Sequence, residues 1–189
     1  MNRLAVYCGA SMGADPVFAN LARDLGAEMA RRGIDLVYGG GHRGLMGVVA
    51  DAVLAGGGRV YGVIPQALVD LEVAHQGLTE LHTVASMHER KAKMTELTDA
   101  FVAIPGGIGT LDELFEAWTW NALGYHAKPF CLLNVAGFWD GLIGFVDHVT
   151  KSGFMSAERR AQLLVADDIG TAIEKLDEGI KAADTRMVW

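Results

Sequence analysis

The feature that most limits how this chain can fold is a repeated alternation. Short apolar runs, several ending in glycine, are followed by stretches of helical length that carry one apolar face. A short aliphatic run suits a strand buried on both faces. The amphipathic stretch behind it suits the helix that returns the chain to begin a parallel neighbour. The runs predict strands at 4–8, 35–38, 59–64, 81–84, 101–104 and 130–134, with a short last one at 163–165. Helices are predicted over 16–32, 45–55, 87–98, 111–122, 139–152 and 169–181. Local signals mark several ends: Pro16 in a first helical turn, Gly33 behind Arg31 and Arg32, and Asp168 ahead of the last helix. The expected fold is α/β, a single-domain Rossmann-like doubly wound parallel sheet flanked by helices, spanning residues 1–189. Residues 65–77 have the least regular pattern and are expected to form a mobile loop over a site.

Composition narrows the partners. A net charge of −7 leaves no basic stripe to displace counterions from a nucleic-acid backbone, so no nucleic acid is expected. A small phosphorylated ligand needs only local donors and stays open. No apolar run approaches the ~18 residues of a membrane span, and no leader pattern precedes the first strand, so a cytoplasmic protein is expected. The two cysteines, Cys8 and Cys131, end or sit within apolar runs and read as small core residues, with a catalytic thiol as the alternative.

Ligands of such sheets sit beyond the carboxyl ends of the strands. Three of those ends carry glycine and hydroxyl residues: Gly9-Ala10-Ser11-Met12-Gly13, the run from Gly39, Gly40 and Gly41 to Gly44 and Gly47, and Pro105-Gly106-Gly107-Ile108-Gly109-Thr110. Glycine lets backbone approach a ligand, and the helix that follows aims unpaired N–H groups at an anion. A phosphorylated ligand is therefore expected.

Common phosphate motifs do not fit. Residues 39–44 match G-x-G-x-x-G formally, but they follow the second strand, and the next strand ends in Ile64-Pro65-Gln66 rather than an acid for a ribose hydroxyl. No glycine loop ends in Gly-Lys-Ser/Thr. His88-Glu89 lacks the second histidine of a zinc helix because position 92 is Ala92, so no metal is expected.

The most informative stretch is Pro105 to Glu113. Read blandly, Thr110 and Glu113 have capping-box spacing and merely start a helix. Against that, the loop holds more glycine than a cap needs, and three acids, Asp112, Glu113 and Glu116, crowd the first turns. A helix dipole welcomes them there, whereas a bound phosphate repels them. Phosphate and carboxylates must then occupy different parts of the pocket, as cleavage of a glycosidic bond requires. Near Ser86-Met87-His88-Glu89-Arg90-Lys91, Ser86 and Glu89 again have capping-box spacing, and the cations read either as a solvated face or, for Arg90, as a partner for phosphate or carboxylate.

Together these residues resemble the lonely-guy family of cytokinin-activating phosphoribohydrolases, many of which carry an old label of possible lysine decarboxylase. The resemblance rests on Tyr7-Cys8-Gly9-Ala10-Ser11, Tyr38-Gly39-Gly40-Gly41 with Gly44-Leu45-Met46-Gly47, Gly62-Val63-Ile64-Pro65, Met87-His88-Glu89-Arg90-Lys91 and the run from Pro105 to Glu113. Leu114-Phe115-Glu116, Trp118, Leu123-Gly124 and Lys128-Pro129 extend it; Asp112 stands where many members have glutamate. It implies hydrolysis of N6-substituted adenosine 5′-monophosphates, and often AMP, by a homodimer with no cofactor. Catalytic roles pass to Glu113 and Arg90. Substrate contacts pass to Lys91, Gly107, Ile108, Gly109, Thr110, Leu111 and Asp112, with Glu72 as a further contact.

From the loops themselves, Gly106, Ser11, Gly40, Gly41 and Gly44 are added to the substrate-binding candidates, and Glu116 as a second acid beside the ribose. A pyridoxal-phosphate reaction finds no support, since none of the six lysines lies in a recognisable cofactor motif. The remaining alternative is a non-catalytic nucleotide or cofactor carrier built on the same phosphate cradle.

Overall fold

Seven strands order the molecule: β1 (Arg3–Tyr7), β2 (Asp35–Tyr38), β3 (Val60–Pro65), β4 (Glu80–Val84), β5 (Ala100–Ala103), β6 (Phe130–Leu133) and β7 (Leu163–Ala166). They lie in the order β4-β3-β2-β1-β5-β6-β7, and every pairing is parallel. A computed structural model provides the coordinates and describes residues 1–69 and 74–186. Parallel strands need long crossovers, and helices supply them. These are α1 (Pro16–Arg32), α2 (Gly44–Ala55), the short α3 (Gln66–Val69), α4 (Met87–Leu97), α5 (Ile108–Ala122), α6 (Asp140–Lys151), the short α7 (Ala157–Ala161) and α8 (Ile169–Arg186). No helix among the described residues is long and apolar enough to cross a membrane.

The alternation of side chains along each strand divides the core in two. Leu4, Val6, Leu36 and Tyr38 face one layer, where Leu25 and Met29 of α1, Val49 and Val53 of α2 and Leu176 of α8 cover them. Ala5, Tyr7 and Val37 face the other, under Met94 of α4, Leu114 and Trp118 of α5 and Val146 of α6. Burying each large apolar side chain contributes roughly 1.5–3 kcal/mol, so both layers hold the sheet.

All seven expected strands and all six expected helices are present, with ends shifted by a residue or a few. Asp15 accepts from the Val17 amide at 2.9 Å with Pro16 opening α1, and Gly33 closes it at φ 69°. Asp168 accepts from the Thr171 amide at 2.8 Å. Two expectations need correction. The segment 157–161, for which the sequence predicts no element, forms α7, with Ser156 accepting from the Arg159 amide. More importantly, α5 begins at Ile108 rather than 111, so Thr110 lies inside the helix. Its N-cap is Gly107 with no side-chain cap, and the capping box expected of Thr110 and Glu113 does not form. Dense glycine made those residues look like loop.

The chain leaves β1 toward β4 and then returns across β1 to β5, so the winding direction reverses between β1 and β5. That is where a crevice opens at the carboxyl edge. The opposite, amino end of this strand pair is stitched by Asp99, whose carboxylate accepts from the amides of Asn2 at 2.7 Å and Arg3 at 2.9 Å. Thr98 adds a buried hydroxyl donated to Ala100 O at 2.7 Å. Replacing Asp99 with Ala orphans two backbone donors. It is expected to cost about 1–3 kcal/mol by thermal or urea unfolding. Ligand binding at the far edge should be unchanged, a separation checked by titrating the folded variant.

Candidate functional site

A cavity of about 680 Å³ opens at the carboxyl edge of the sheet, between the loops after β1, β2 and β5. Its walls form because backbone presses on backbone. A Cβ at Gly106 would overlap the Thr110 hydroxyl and lie 2.8 Å from the Gly9 amide nitrogen. Gly44, at φ 59°, sits where a Cβ would overlap the backbone of Ala10 and Ser11. Hydrogen bonds from Gly9 N to Pro105 O and from Leu45 N to Gly9 O, each 3.0 Å, tie the three loops together.

The first residues of α5 point their donors at this space. The amides of Ile108, Gly109 and Thr110 precede the first intrahelical acceptor, and Leu111 N is the first to find one, at Gly107 O. All three of those residues line the cavity, so donors and helix dipole converge there on any bound anion. Thr110 is buried beside them.

Glu113 lies about 7–8 Å further along the helix axis, given a rise of 1.5 Å per residue. It also lines the cavity and is 92% buried. Arg90, in the first turn of α4, reaches across to it: Nη2 is 3.2 Å from Glu113 Oε1. Gly39 makes room for that guanidinium, since a Cβ there would overlap Nη2. Among the described residues Arg90 Nε is buried with no hydrogen-bond partner. Burial pushes the Glu113 carboxyl up to about 7. Arg90 and Lys91 pull against the rise, and the neighbouring charges of Asp112 and Glu116 add to it. Near neutrality the group can therefore accept or give a proton. Beneath it, burial pushes the Tyr7 phenol and the Cys8 thiol well above their ordinary values, which leaves Cys8 a poor nucleophile. Cys131 is buried in β6, its thiol pushed up to about 12, chiefly by burial.

Lys91 points elsewhere. Its Nζ is 3.1 Å from Asp112 Oδ2 and in close ion contact with Glu116, joining α4 to α5. His88 Nδ1 approaches Glu116 at 3.8 Å. Glu89 accepts from the Ala85 amide, and Ser86 accepts from the Glu89 amide, so that cap does form.

The structure thus brings together Arg90, Glu113, Asp112, Ser11, Gly41 and the turn from Gly106 through Thr110 around one cavity. Lys91, Leu111, Glu116, Gly40 and Gly44 are not among the described residues that line it. Glu72 lies outside the described residues. Two groups were missed by sequence reasoning. Arg43 lines the cavity from the N-cap position of α2; its place in the second glycine run was the available signal. An apolar wall of Met12, Phe18, Met46, Met87 and Phe138 comes from five separate segments, and no local pattern could have assembled it. Among the described residues, no lysine lines the cavity.

Comparison with known proteins bears on this geometry. The family described as possible lysine decarboxylase matches residues 46–176. The cytokinin riboside 5′-monophosphate phosphoribohydrolase LOG of Oryza sativa subsp. japonica is 45% identical over 187 residues, covering 99% of this chain and 77% of its own. Its Arabidopsis thaliana relative LOG4, of the same description, is 46% identical over 190 residues, covering 99% and 88%. Among solved structures, the molybdenum cofactor binding protein of Rippkaea orientalis superposes with a TM-score of 0.71 at 20% identity, covering 94% and 96%, and shares the fold.

The raised Glu113 carboxyl carries a stability signature. Folding favours its protonated form, so its contribution is fully present below 4.5, the ordinary value, and is lost as pH rises through about 7. Glu113→Gln abolishes that titration. The melting temperature of the variant relative to the parent is expected to climb between these two pH values and level off above them, measured by calorimetry across pH.

Proposed function

We propose that this chain, which belongs to the family of possible lysine decarboxylases that comprises the lonely-guy phosphoribohydrolases, cleaves the N-glycosidic bond of nucleoside 5′-monophosphates. Its substrates are N6-substituted adenosine 5′-monophosphates, including cytokinin riboside 5′-monophosphate, and AMP itself. The products are the free base and ribose 5-phosphate. The observation that carries this reading is the buried Arg90–Glu113 pair set one and a half helical turns beyond an open helix N-terminus.

The 5′-phosphate sits on the amides of Ile108, Gly109 and Thr110, with the Thr110 hydroxyl beside them. The sugar then extends along α5, which brings its anomeric carbon to Glu113. As the C1′–N bond breaks, its electron pair leaves with the base and positive charge develops on the ribose. The Glu113 carboxylate stabilises that charge and takes a proton from the water that adds to C1′. The base leaves with a proton in turn. Arg90 holds the carboxylate in place, and its unpartnered Nε is available to a sugar hydroxyl. The apolar wall accommodates the base and its N6 substituent. A homodimer fits the exposed apolar side chains Phe115, Leu123 and Tyr125 on and just after α5, which such pairing would cover.

Decarboxylation through a lysine-bound cofactor finds no lysine on the cavity wall. A carrier using the same cradle has no evident need of a carboxylate poised near neutrality. Adenine release from AMP, followed by chromatography, separates the readings: turnover is expected here, whereas binding without release identifies a carrier. Glu113→Gln should retain nucleotide binding and lose about 10²–10³ in kcat. The acid limb of the kcat/KM profile should lie near 7, because the carboxylate must be ionised to act. Arg90→Met, which removes the opposing charge, should move that limb to higher pH. Thr110→Val, lying within α5 and not at its cap, should raise KM for the 5′-monophosphate with little loss of helix stability. Unchanged KM would remove the anion from that helix end.

A further inference from the structure

Three carboxylates stand within about one turn of α5, at 112, 113 and 116; Asp112 and Glu113 line the cavity, and Arg90 pairs with Glu113. Left alone, Asp112 and Glu116 would place two negative charges beside a buried acid. Lys91 meets both. Its Nζ lies 3.1 Å from one Asp112 oxygen and 3.3 Å from the other, and it is in close ion contact with Glu116 on the far side. The Lys91 side chain is only 15% exposed and Glu116 19%, so solvent screens that arm weakly, whereas Asp112 is 54% exposed and its arm is screened more. Residues 90 and 91, adjacent in the first turn of α4, thus serve different carboxylates of α5: Arg90 pairs with Glu113, and Lys91 with Asp112 and Glu116.

We propose that Lys91 is a positioning residue for the reaction: by bridging Asp112 and Glu116 it cancels the charges flanking Glu113 and keeps that carboxylate ionisable inside the cavity. The inference rests on the reading of Glu113 as the acting carboxylate. It assigns Lys91 to the electrostatics of the site, through its contacts with Asp112 and Glu116. The groups around Glu113 are few. Arg90 and Lys91 approach from α4, Asp112 and Glu116 flank it on α5, and Tyr7 and Cys8 lie below it at the end of β1, both held neutral by burial. The shifts agree in direction. Asp112 and Glu116 push the Glu113 carboxyl up, and Lys91 pulls it down. Burial pulls the Lys91 ammonium down, but its hydrogen bonds to Glu116 and Asp112 outweigh burial and keep it charged.

The test compares Lys91→Met, Lys91→Arg and the double variant Lys91→Met/Glu116→Gln. Each is followed by the kcat/KM profile with AMP and by a ¹³C titration of the Glu113 carboxyl in the free protein, assigned by its loss in Glu113→Gln. Lys91→Met is expected to move the acid limb and the carboxyl titration upward together by about 0.5–1 pH unit, the size of an uncompensated charge several ångströms away. Lys91→Arg should leave both near the parent. The double variant, which removes one cation and one anion, should bring both back, a recovery that loss of a merely structural contact would not produce. A Lys91→Met protein with an unmoved carboxyl titration overturns the proposal, whatever its KM. The carboxyl titration requires no turnover. A chain that releases no adenine but shows the shift and its reversal would lose the hydrolase reading and keep the electrostatic one.

Discussion

The ion pair between Arg90 and Glu113 organises this molecule's functional edge, and much of the surrounding architecture can be understood as what it takes to keep two opposite charges buried 3.2 Å apart. Desolvating a carboxylate and a guanidinium is costly unless geometry and remaining hydrogen bonds compensate. Here compensation is incomplete by design of the site: Arg90 keeps an unpartnered Nε, and Glu113 titrates near neutrality and not near 4.5. Both partners therefore retain capacity for a third group. Gly39 supplies the space, α4 and α5 supply rigid supports from opposite sides of the crevice, and the reversal of winding between β1 and β5 creates the crevice itself.

The glycine loops serve the other half of the site. Their contribution is proximity: Gly106 lies against Gly9, and Gly44 against Ala10 and Ser11, at separations that no side chain would permit. That compaction leaves the start of α5 uncapped by any side chain and facing the cavity. A helix start with no side-chain cap among the described residues is followed at a fixed axial distance by a buried acid, the spacing on which the proposed binding of a phosphorylated sugar rests.

Much of the fold was legible because both of its periodicities are strong. Strand residues such as Leu36, Val37 and Tyr38 are apolar in succession since both faces of the sheet are covered, and α1 announces itself through Pro16 and Gly33. The start of α5 was misplaced for a physical reason: Gly107 and Gly109 have low helical propensity, and the donors they expose are those expected of a loop. Correcting it to Ile108 moves Thr110 from the cap position into the helix and sets Glu113 deeper in it, a turn and a half from the uncapped start. Arg90 and Glu113 were legible as chemistry from their residue types, while their mutual approach, a tertiary property, was not. The family resemblance implies a substrate contact for Lys91; its ion contacts with Asp112 and Glu116 are tertiary and were not legible from sequence. Phe138 and Met12, more than a hundred residues apart, share a wall that no local pattern encodes.

The central claim is geometric, and a crystal structure of the Glu113→Gln protein soaked with AMP tests it most directly. The account predicts the phosphate over the amides of residues 108–110 and the anomeric carbon within contact distance of the residue 113 side chain, with the base along the apolar wall. A nucleotide bound with its ribose turned away from that side chain, or with its phosphate seated elsewhere, would contradict it.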